Sequence, residues 1–392
     1  MARHRSTAAQ AGFSLAELVV TLALLGLIYM AFAGTLDSSA RIAKSQGNQA
    51  DVTESLRYSA AYLLRMGRMA GTGGIPLAAP DASGNLGAMA INVADNVPAG
   101  TTGFGTSPVR YADRGTDVLS VRGVLSGILY EVQGATSLAG DPSTGYTLTI
   151  QPVSPFTGRS QPVQPVAPGT PIVLASMGEL TLAASSGQVR HYGPYCVGIV
   201  TAADLQDPHD PNSNLVVKFK ATASSQDEQD IIAMNPGGVF QLADTSLVIT
   251  AGFLNEFVYF VADDDTGKPT LYRFARGDAA AEALIPDISN LQVALGIDLD
   301  GNGELFSIGA AAGDDEWFYN VAGEVPTGAQ MLGVTRVRIS LVGRSADPDR
   351  NWTEKMTPPE DALPLSSNEK RYRHRTLTTE ITLRSHPPLE AS

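Results

Sequence analysis

Near the N-terminus lies a long apolar run that contains a single charged residue. Residues 13–36 carry no charge except Glu17. A helix rises 1.5 Å per residue, so this run would be roughly 36 Å long, enough to cross a hydrocarbon core of about 30 Å. Residues 1–12 contain Arg3 and Arg5 and no acid, a flank typical of an N-terminal end that stays in the cytoplasm. We therefore expect a membrane-spanning helix whose following residues lie outside.

Three interpretations of this segment are open. A secretory signal would end at the A-x-A site Ala31-Phe32-Ala33, before Gly34. Against it, the apolar part is longer than the usual length of about 7 to 15 residues, and an internal acid works against insertion. A plain N-terminal anchor would tolerate Glu17 as a charge close to the membrane boundary. The third interpretation is a processed membrane subunit, and it explains more of the residues.

The stretch Gly12-Phe13-Ser14-Leu15-Ala16-Glu17 resembles the cleavage site of type IV prepilins and pseudopilins. In that family a prepilin peptidase removes a short basic leader after the glycine that corresponds to Gly12. The new N-terminal residue, here Phe13, is then N-methylated, and the apolar helix is retained. The family's acid at the fifth mature position corresponds to Glu17. Because a carboxylate in lipid is costly unless paired, the resemblance implies an ion pair with the Phe13 amine of a neighbouring subunit.

A second helical pattern follows the apolar run. It predicts one helix over residues 13–70, with residues 13–36 in the membrane and an amphipathic second half. The helix should end at the glycine-rich residues 71–74, with Pro76 close behind. The apolar positions recur every three or four residues, at Val52, Leu56, Ala60, Leu63, Gly67 and Ala70.

Residues 77–392 have strand patterns with little helical periodicity. In residues 334–344, Val337, Ile339 and Leu341 alternate with polar residues, and residues 376–384 show a similar alternation. Two aromatic-rich stretches on either side of Asp263 to Pro269 predict a hairpin. The predicted fold class is α+β, a long N-terminal helix packed on a β-rich head. Four stretches rich in Pro, Gly, Ser and Asp are expected to be loops: 76–115, 154–170, 203–213 and 344–372.

Three further segments follow in the order "LLRMGRMAGTGGIP", "ALIPDISNLQVALGIDLDGNGE" and "KRYRHRTLTTEITLRS". The last is an arginine-rich segment that leads into a Thr-rich strand. In this order the segments resemble the PilW group of type IV pilus minor pilins, which end in the same way. They also resemble the J-type minor pseudopilins of type II secretion.

The PilW resemblance implies a non-catalytic role in pilus assembly. It implies an inner-membrane protein with a periplasmic head that primes pilus assembly, joins the tip complex and reaches the cell surface with the pilus. The implied partners are the peptidase, minor and major pilins through the helix, and a tip adhesin; the implied processes are adhesion and twitching motility. A minor pseudopilin of a type II secretion system is one alternative. A membrane-anchored exported binding protein or enzyme is another.

Composition and motifs agree with an exported, non-catalytic protein. Without Arg3 and Arg5 the chain has 25 basic and 40 acidic residues, a net charge of −15, which argues against nucleic acid as a partner. The single cysteine, Cys196, is expected to be a buried apolar residue. No H-E-x-x-H, G-x-S-x-G or G-x-x-x-x-G-K-[ST] pattern occurs. The five histidines have no metal-ligand spacing.

Residues 298–304, "DLDGNGE", fit two structures. The residues Asp298, Asp300 and Asn302 have the spacing of the first half of a calcium loop, with Glu304 as a further ligand. The second half of such a loop is missing, because Gly309 stands where a bidentate glutamate is needed. A hairpin turn has the same composition, since Asp, Asn and Gly tolerate positive φ. The pattern favours the turn, with calcium as the alternative; no other cofactor is expected.

Overall fold

The computed structural model describes residues 14–81, 83–97, 115–126, 128–133, 139–141, 145–163, 165–176, 180–183, 188–210, 212–238, 248–298, 305, 317–321, 323–349, 352–383 and 390–391. The chain divides into two compact units, Met1–Asp51 and Val52–Ser392.

One long helix, α1 (Leu15–Arg68), opens the described part of the chain. It runs without a break through Gly47, although an interior glycine costs about 1 kcal/mol relative to alanine. Two short helices follow, α2 (Gln226–Ile232) and α3 (Gly328–Met331). A serine caps α2 and a threonine in a capping box caps α3: Ser225 and Thr327.

The rest of the described chain is dominated by strands. In chain order they are β1 (Ala78–Pro80), β2 (Leu86–Ala88), β3 (Ile91–Val97), β4 (Thr116–Gly123), β5 (Tyr130–Glu131), β6 (Ala139–Asp141), β7 (Gly145–Ile150), β8 (Pro171–Ser176), β9 (Leu180–Ala183), β10 (Gln188–Tyr192), β11 (Tyr195–Leu205), β12 (Leu215–Lys220), β13 (Val248–Phe253), β14 (Asn255–Asp263), β15 (Pro269–Ala275), β16 (Glu282–Pro286), β17 (Ile288–Ile297), β18 (Trp317–Phe318), β19 (Val334–Arg344), β20 (His374–Thr382) and β21 (Glu390–Ala391).

The strands form five antiparallel sheets among the described residues. A seven-stranded sheet has the order β5-β13-β8-β11-β12-β7-β6, and a five-stranded sheet the order β16-β15-β14-β4-β3. A four-stranded sheet, β18-β17-β19-β20, contains the last long strands of the chain. The two small sheets are β1-β2 and β21-β10-β9. The fold is α+β, as the sequence predicts.

The largest apolar core joins the second half of α1 to the five-stranded and four-stranded sheets. The buried residues of α1 are Val52, Leu56, Ser59, Ala60, Leu63, Met66 and Gly67, which agrees with the predicted amphipathic pattern. A separate core, built around Phe219, lies in the seven-stranded sheet. The single cysteine, Cys196, lies in that core with no exposed surface, and burial raises the pKa of its thiol.

Most predicted strands are present, but two predicted loops are partly wrong. The loop predicted at 203–213 overlaps the end of β11 by three residues. The hairpin is confirmed, with Asp263 of β14 opposite Pro269 of β15. In β19, Val337, Ile339 and Leu341 are buried, as their alternation predicts. The stretch 76–115, however, contains β1, β2 and β3. Two of these strands are only three residues long, too short to produce a detectable alternation.

Candidate assembly site

The predicted cleavage residues Gly12 and Phe13 lie outside the described residues, which begin at Ser14. Glu17 is described, and it forms a capping box with Ser14. The backbone N–H of Ser14 donates to Glu17 Oε2 at 3.0 Å, and Glu17 N donates to Ser14 Oγ at 3.2 Å. This S-x-x-E pattern fixes the first turn of α1. The carboxylate is thus held by its own chain, on the exposed first turn.

Sequence reasoning missed the role of Ser14. The signal was present, because a serine followed three residues later by a glutamate, ahead of an apolar run, is the signature of a capping box. The same four residues also belong to the prepilin-like motif, in which the resemblance gives a role to Glu17 and none to Ser14.

The first half of α1 is apolar on every side. Its most apolar stretch contains no buried residue, and by length and composition the helix could cross a membrane. The first charged residues after Glu17 are Asp37 and Arg41, which form an i,i+4 ion pair at 2.8 Å with both side chains exposed. The apolar segment therefore ends where charged residues resume, at the position predicted for the end of the membrane span. This helix is consistent with membrane anchoring.

Residues 52–68 of α1 approach the four-stranded sheet closely, and two glycines permit it. A Cβ at Gly343 of β19 would come within 2.8 Å of Val52 Cγ1. A Cβ at Gly67 would come within 2.6 Å of Ile381 Cδ1 in β20. Arg375 of β20 also donates to Thr53 Oγ1 at 3.1 Å. The amphipathic part of α1 is therefore seated against β19 and β20 through short contacts.

Polar contacts fix the same helix to the five-stranded sheet. The rings of Tyr62 and Tyr259 pack edge to face, with centroids 5.8 Å apart. Arg273 donates to the hydroxyl of Tyr62 at 3.0 Å and forms an ion pair with Glu282. The guanidinium also lies over the ring of Phe257, 4.8 Å from its centroid, a favourable cation–π position.

The segment between β19 and β20 is held by charge pairs. Arg338 binds Glu360 through two bonds of 2.7 Å, and Arg344 binds Glu369 at 2.7 Å with both side chains buried. His374 has a fully buried side chain, with its Nε2 3.4 Å from Glu369 Oε2. Two arginines of β19 therefore hold this segment, and from the arginine-rich stretch Arg373 adds an ion pair with Asp349 at 3.0 Å.

The calcium prediction falls largely outside the described residues. Asp300, Asn302 and Glu304 lie there, whereas Asp298 is described. Its side chain is buried, and its backbone N–H donates to Gly333 O at 3.1 Å. Within the described part of the chain, no three His, Cys, Asp or Glu side chains are placed to hold a metal ion. The choice between a turn and a calcium loop stays a prediction.

Comparison with known proteins gives one match. The family model of the type IV pilus-assembly protein W, PilW, matches residues 258–385. The match, over about a third of the chain, supports a PilW-family, pilin-like protein. Searches of curated proteins and of solved structures found no match. The family supports a role in type IV pilus assembly, together with other pilus components.

The PilW match and the prepilin-like motif come from different parts of the chain. The matched range begins within β14 and contains all of β15 to β20. It also contains the charge pairs that hold the segment before β20, including Arg344 with Glu369. Residues 12–17 and the whole of α1 lie before it. The pilus assignment is therefore supported independently of the N-terminal motif, and covers less than half of the chain.

Proposed function

We propose that this PilW-like protein is a minor type IV pilin that helps to initiate pilus assembly and joins the tip complex. The observation that carries the proposal is the combination of two independent features. One is the PilW match over residues 258–385; the other is a basic leader followed by Gly12, Phe13, Glu17 and an apolar helix. We propose a non-catalytic role, because in such a subunit both features serve placement and assembly.

In this proposal a prepilin peptidase cleaves after Gly12, and Phe13 becomes an N-methylated terminus. The apolar half of α1 stays in the inner membrane while the head lies in the periplasm. The helices of several minor pilins then associate in the membrane and form a base for the first major subunits. The protein reaches the cell surface with the pilus, beneath an adhesin, and so takes part in adhesion and twitching motility.

Glu17 would guide this association by pairing with the Phe13 amine of a neighbouring subunit. A buried carboxylate without a partner is costly, so pairing favours one register of neighbouring helices over others. Before association, the capping box with Ser14 gives the carboxylate a partner within its own chain. Assembly would exchange this internal partner for an external one of opposite charge.

Substitution of Glu17 tests this role. We expect Glu17→Ala to stay in the membrane fraction but to lose most of its co-purification with other pilin subunits, because the helix keeps its apolar surface and loses the ion pair. Asp37→Ala is the matched control, since it removes an exposed acid of the same helix that lies beyond the apolar run. Undiminished co-purification of Glu17→Ala would contradict the ion pair.

The runner-up function is a minor pseudopilin of a type II secretion system, favoured by the similar N-terminal motif of that class. Affinity purification of the tagged chain from its native membrane would separate the two. We expect pilin subunits and a tip adhesin in the eluate. An eluate that contains secretion-system subunits and no pilins would favour the alternative.

Calcium binding at Asp298, Asp300, Asn302 and Glu304 is a separate proposal, supported by the spacing of these oxygen ligands. If the loop binds calcium, the melting temperature of the protein should rise on adding calcium and fall on adding a chelator. A melting temperature that responds to neither would leave only the hairpin turn.

A further inference from the structure

A cluster of three acidic side chains joins the segment between β19 and β20 to the five-stranded sheet. Asp95 lies on β3, Asp117 on β4 and Asp361 in the segment before β20. The three carboxyl groups influence one another electrostatically, because Asp361 raises the pKa of Asp95, and Asp95 and Asp361 both raise the pKa of Asp117. Asn96 is placed between them, because its Nδ2 donates to Asp361 Oδ2 at 2.7 Å and to Asp95 Oδ1 at 3.2 Å.

Asp117 is fixed by backbone donors from two strands. Asp117 Oδ1 accepts from Asn96 N at 2.9 Å, at an irregularity of β3 where Asn96 has a positive φ of 45°. Asp117 Oδ2 accepts from Val293 N of β17 at 2.7 Å. The backbone of Gly323 acts against burial and lowers the pKa of Asp95. The positions of Asp95 and Asp117 are therefore set by the strands, whereas Asp361 lies on an irregular segment.

The strongest charges acting on the cluster are acidic. Glu360, which repels Asp361, is itself paired with Arg338 of β19. Burial, followed by the charges of Asp95 and Asp117, raises the pKa of the Tyr319 hydroxyl to about 12. Two carboxyl groups in contact attract each other only when they share a proton or a cation. Because no described trio of acids is placed to hold a metal ion, a proton is the simpler link.

We propose that Asp95, Asp117 and Asp361 form a proton-dependent clasp that holds the segment around Asp361 against β3 at acidic pH and releases it as the pH rises. In the closed state, protonated carboxyl groups donate to their neighbours. When the group loses its protons, the three carboxylates repel one another, and Asp361 can move away because it lies outside regular structure. Asn96 Nδ2 donates to Asp361 Oδ2, but Asp361 Oδ1 is buried and has no hydrogen-bond partner among the described residues, so the closed position compensates the charge only in part.

The direction of the pH dependence follows from burial. Burial, followed by the charge of Asp361, raises the pKa of Asp95 to about 6, and burial raises the pKa of Asp117 to about 8. Burial also raises the pKa of Asp361. A carboxyl group with a raised pKa in the closed state favours that state at low pH, and this preference is lost as the pH rises from about 4 through the raised pKa. The clasp therefore weakens between about pH 5 and pH 8.

Hydrogen exchange of the full chain in detergent micelles, with a chelator present, tests the clasp. The probe is the amide of Ala362, which donates to Pro359 O at 3.1 Å next to Asp361. After correction for the intrinsic exchange rate, we expect its protection factor to fall about tenfold from pH 5 to pH 8. The hairpin of β14 and β15 should show no such fall.

Asp361→Asn is the diagnostic variant. Its amide keeps an acceptor for Asn96 Nδ2 and adds a donor where Oδ1 is unpartnered, so protection at Ala362 should become nearly independent of pH. Asp204→Asn, an exposed acid on β11, should behave like the wild type. The proposal is overturned if the wild-type protection factor is constant with pH, if Asp361→Asn keeps the full slope, or if calcium alone restores protection at pH 8. The wild-type series decides the matter even if the variant does not fold.

Discussion

Glu17 and Glu256 show how surroundings decide what a carboxylate does. Glu17 lies on the exposed first turn of an apolar helix, where its carboxylate accepts a hydrogen bond from Ser14 N. Glu256 of β14 is buried between two guanidinium groups, those of Arg122 at 2.7 Å and Arg276 at 2.6 Å. The first residue could be recognised from its sequence motif. The second could not, because its partners lie far along the chain and meet it only through strand pairing.

Removal of Glu256 should strongly destabilise the protein. Its burial would raise the pKa of the carboxyl group, but the charges of Arg122 and Arg276 outweigh burial and lower it. Glu256→Ala leaves two cations facing each other, and we expect a loss of about 3 to 5 kcal/mol in the free energy of unfolding. Chemical denaturation followed by tryptophan fluorescence at pH 7 would measure it.

Glu282→Ala is the control for this prediction, because Glu282 is half exposed in its pair with Arg273. It should cost no more than about 1 kcal/mol. Equal losses for the two variants would contradict the argument. The pH dependence of this stabilisation also has a definite direction. Because the pKa of Glu256 is lowered in the folded protein, its contribution to stability is present above the pKa of the unfolded chain. That stability is lost as the pH falls through the lower folded value.

At the scale of elements, the spacing of apolar residues predicted the buried faces of long helices and strands, but not the contacts on their other faces. The buried face of β19 and the amphipathic half of α1 followed from spacing, because both repeat over many residues. The burial of the opposite face of β19 could not be predicted from this spacing. Ser340 on that face is buried, since Glu360 from the following segment contacts both Ser340 and Arg338. A long irregular segment that covers a sheet leaves no periodic signal in either partner.

The close approach of α1 to β19 gives a prediction at this scale. Gly343→Ala should destabilise the protein by about 1 to 3 kcal/mol, because the new Cβ would press on Val52 and Leu56 in a packed core. Gly87→Ala in β2 is the matched control, since a Cβ there meets nothing within 4 Å. Thermal unfolding of both variants would measure the difference. A shift no larger for Gly343→Ala than for Gly87→Ala would show that the helix can move aside without cost.

At the scale of the whole molecule, the fold class and the pilus family could be predicted from sequence, but the sheet arrangement could not. The order β16-β15-β14-β4-β3 brings β4 beside β14 across more than a hundred intervening residues, and short strands do not specify such pairings. The acidic cluster could not be predicted from the sequence for the same reason. Asp95, Asp117 and Asp361 are distant in sequence, so no motif could have indicated that they meet.

At this scale the proposed pilin role depends on an apolar helix that is kept after processing and starts at Phe13. Mass spectrometry of the N-terminal peptide of the protein, purified from its native membrane, tests this most directly. We predict a mature chain that begins with N-methylated Phe13, cleaved after Gly12. A chain that begins at Gly34 would show that the helix is a discarded secretory signal, and an N-terminus at Met1 or Ala2 would show an unprocessed anchor. Either result would contradict the proposed function as a pilin.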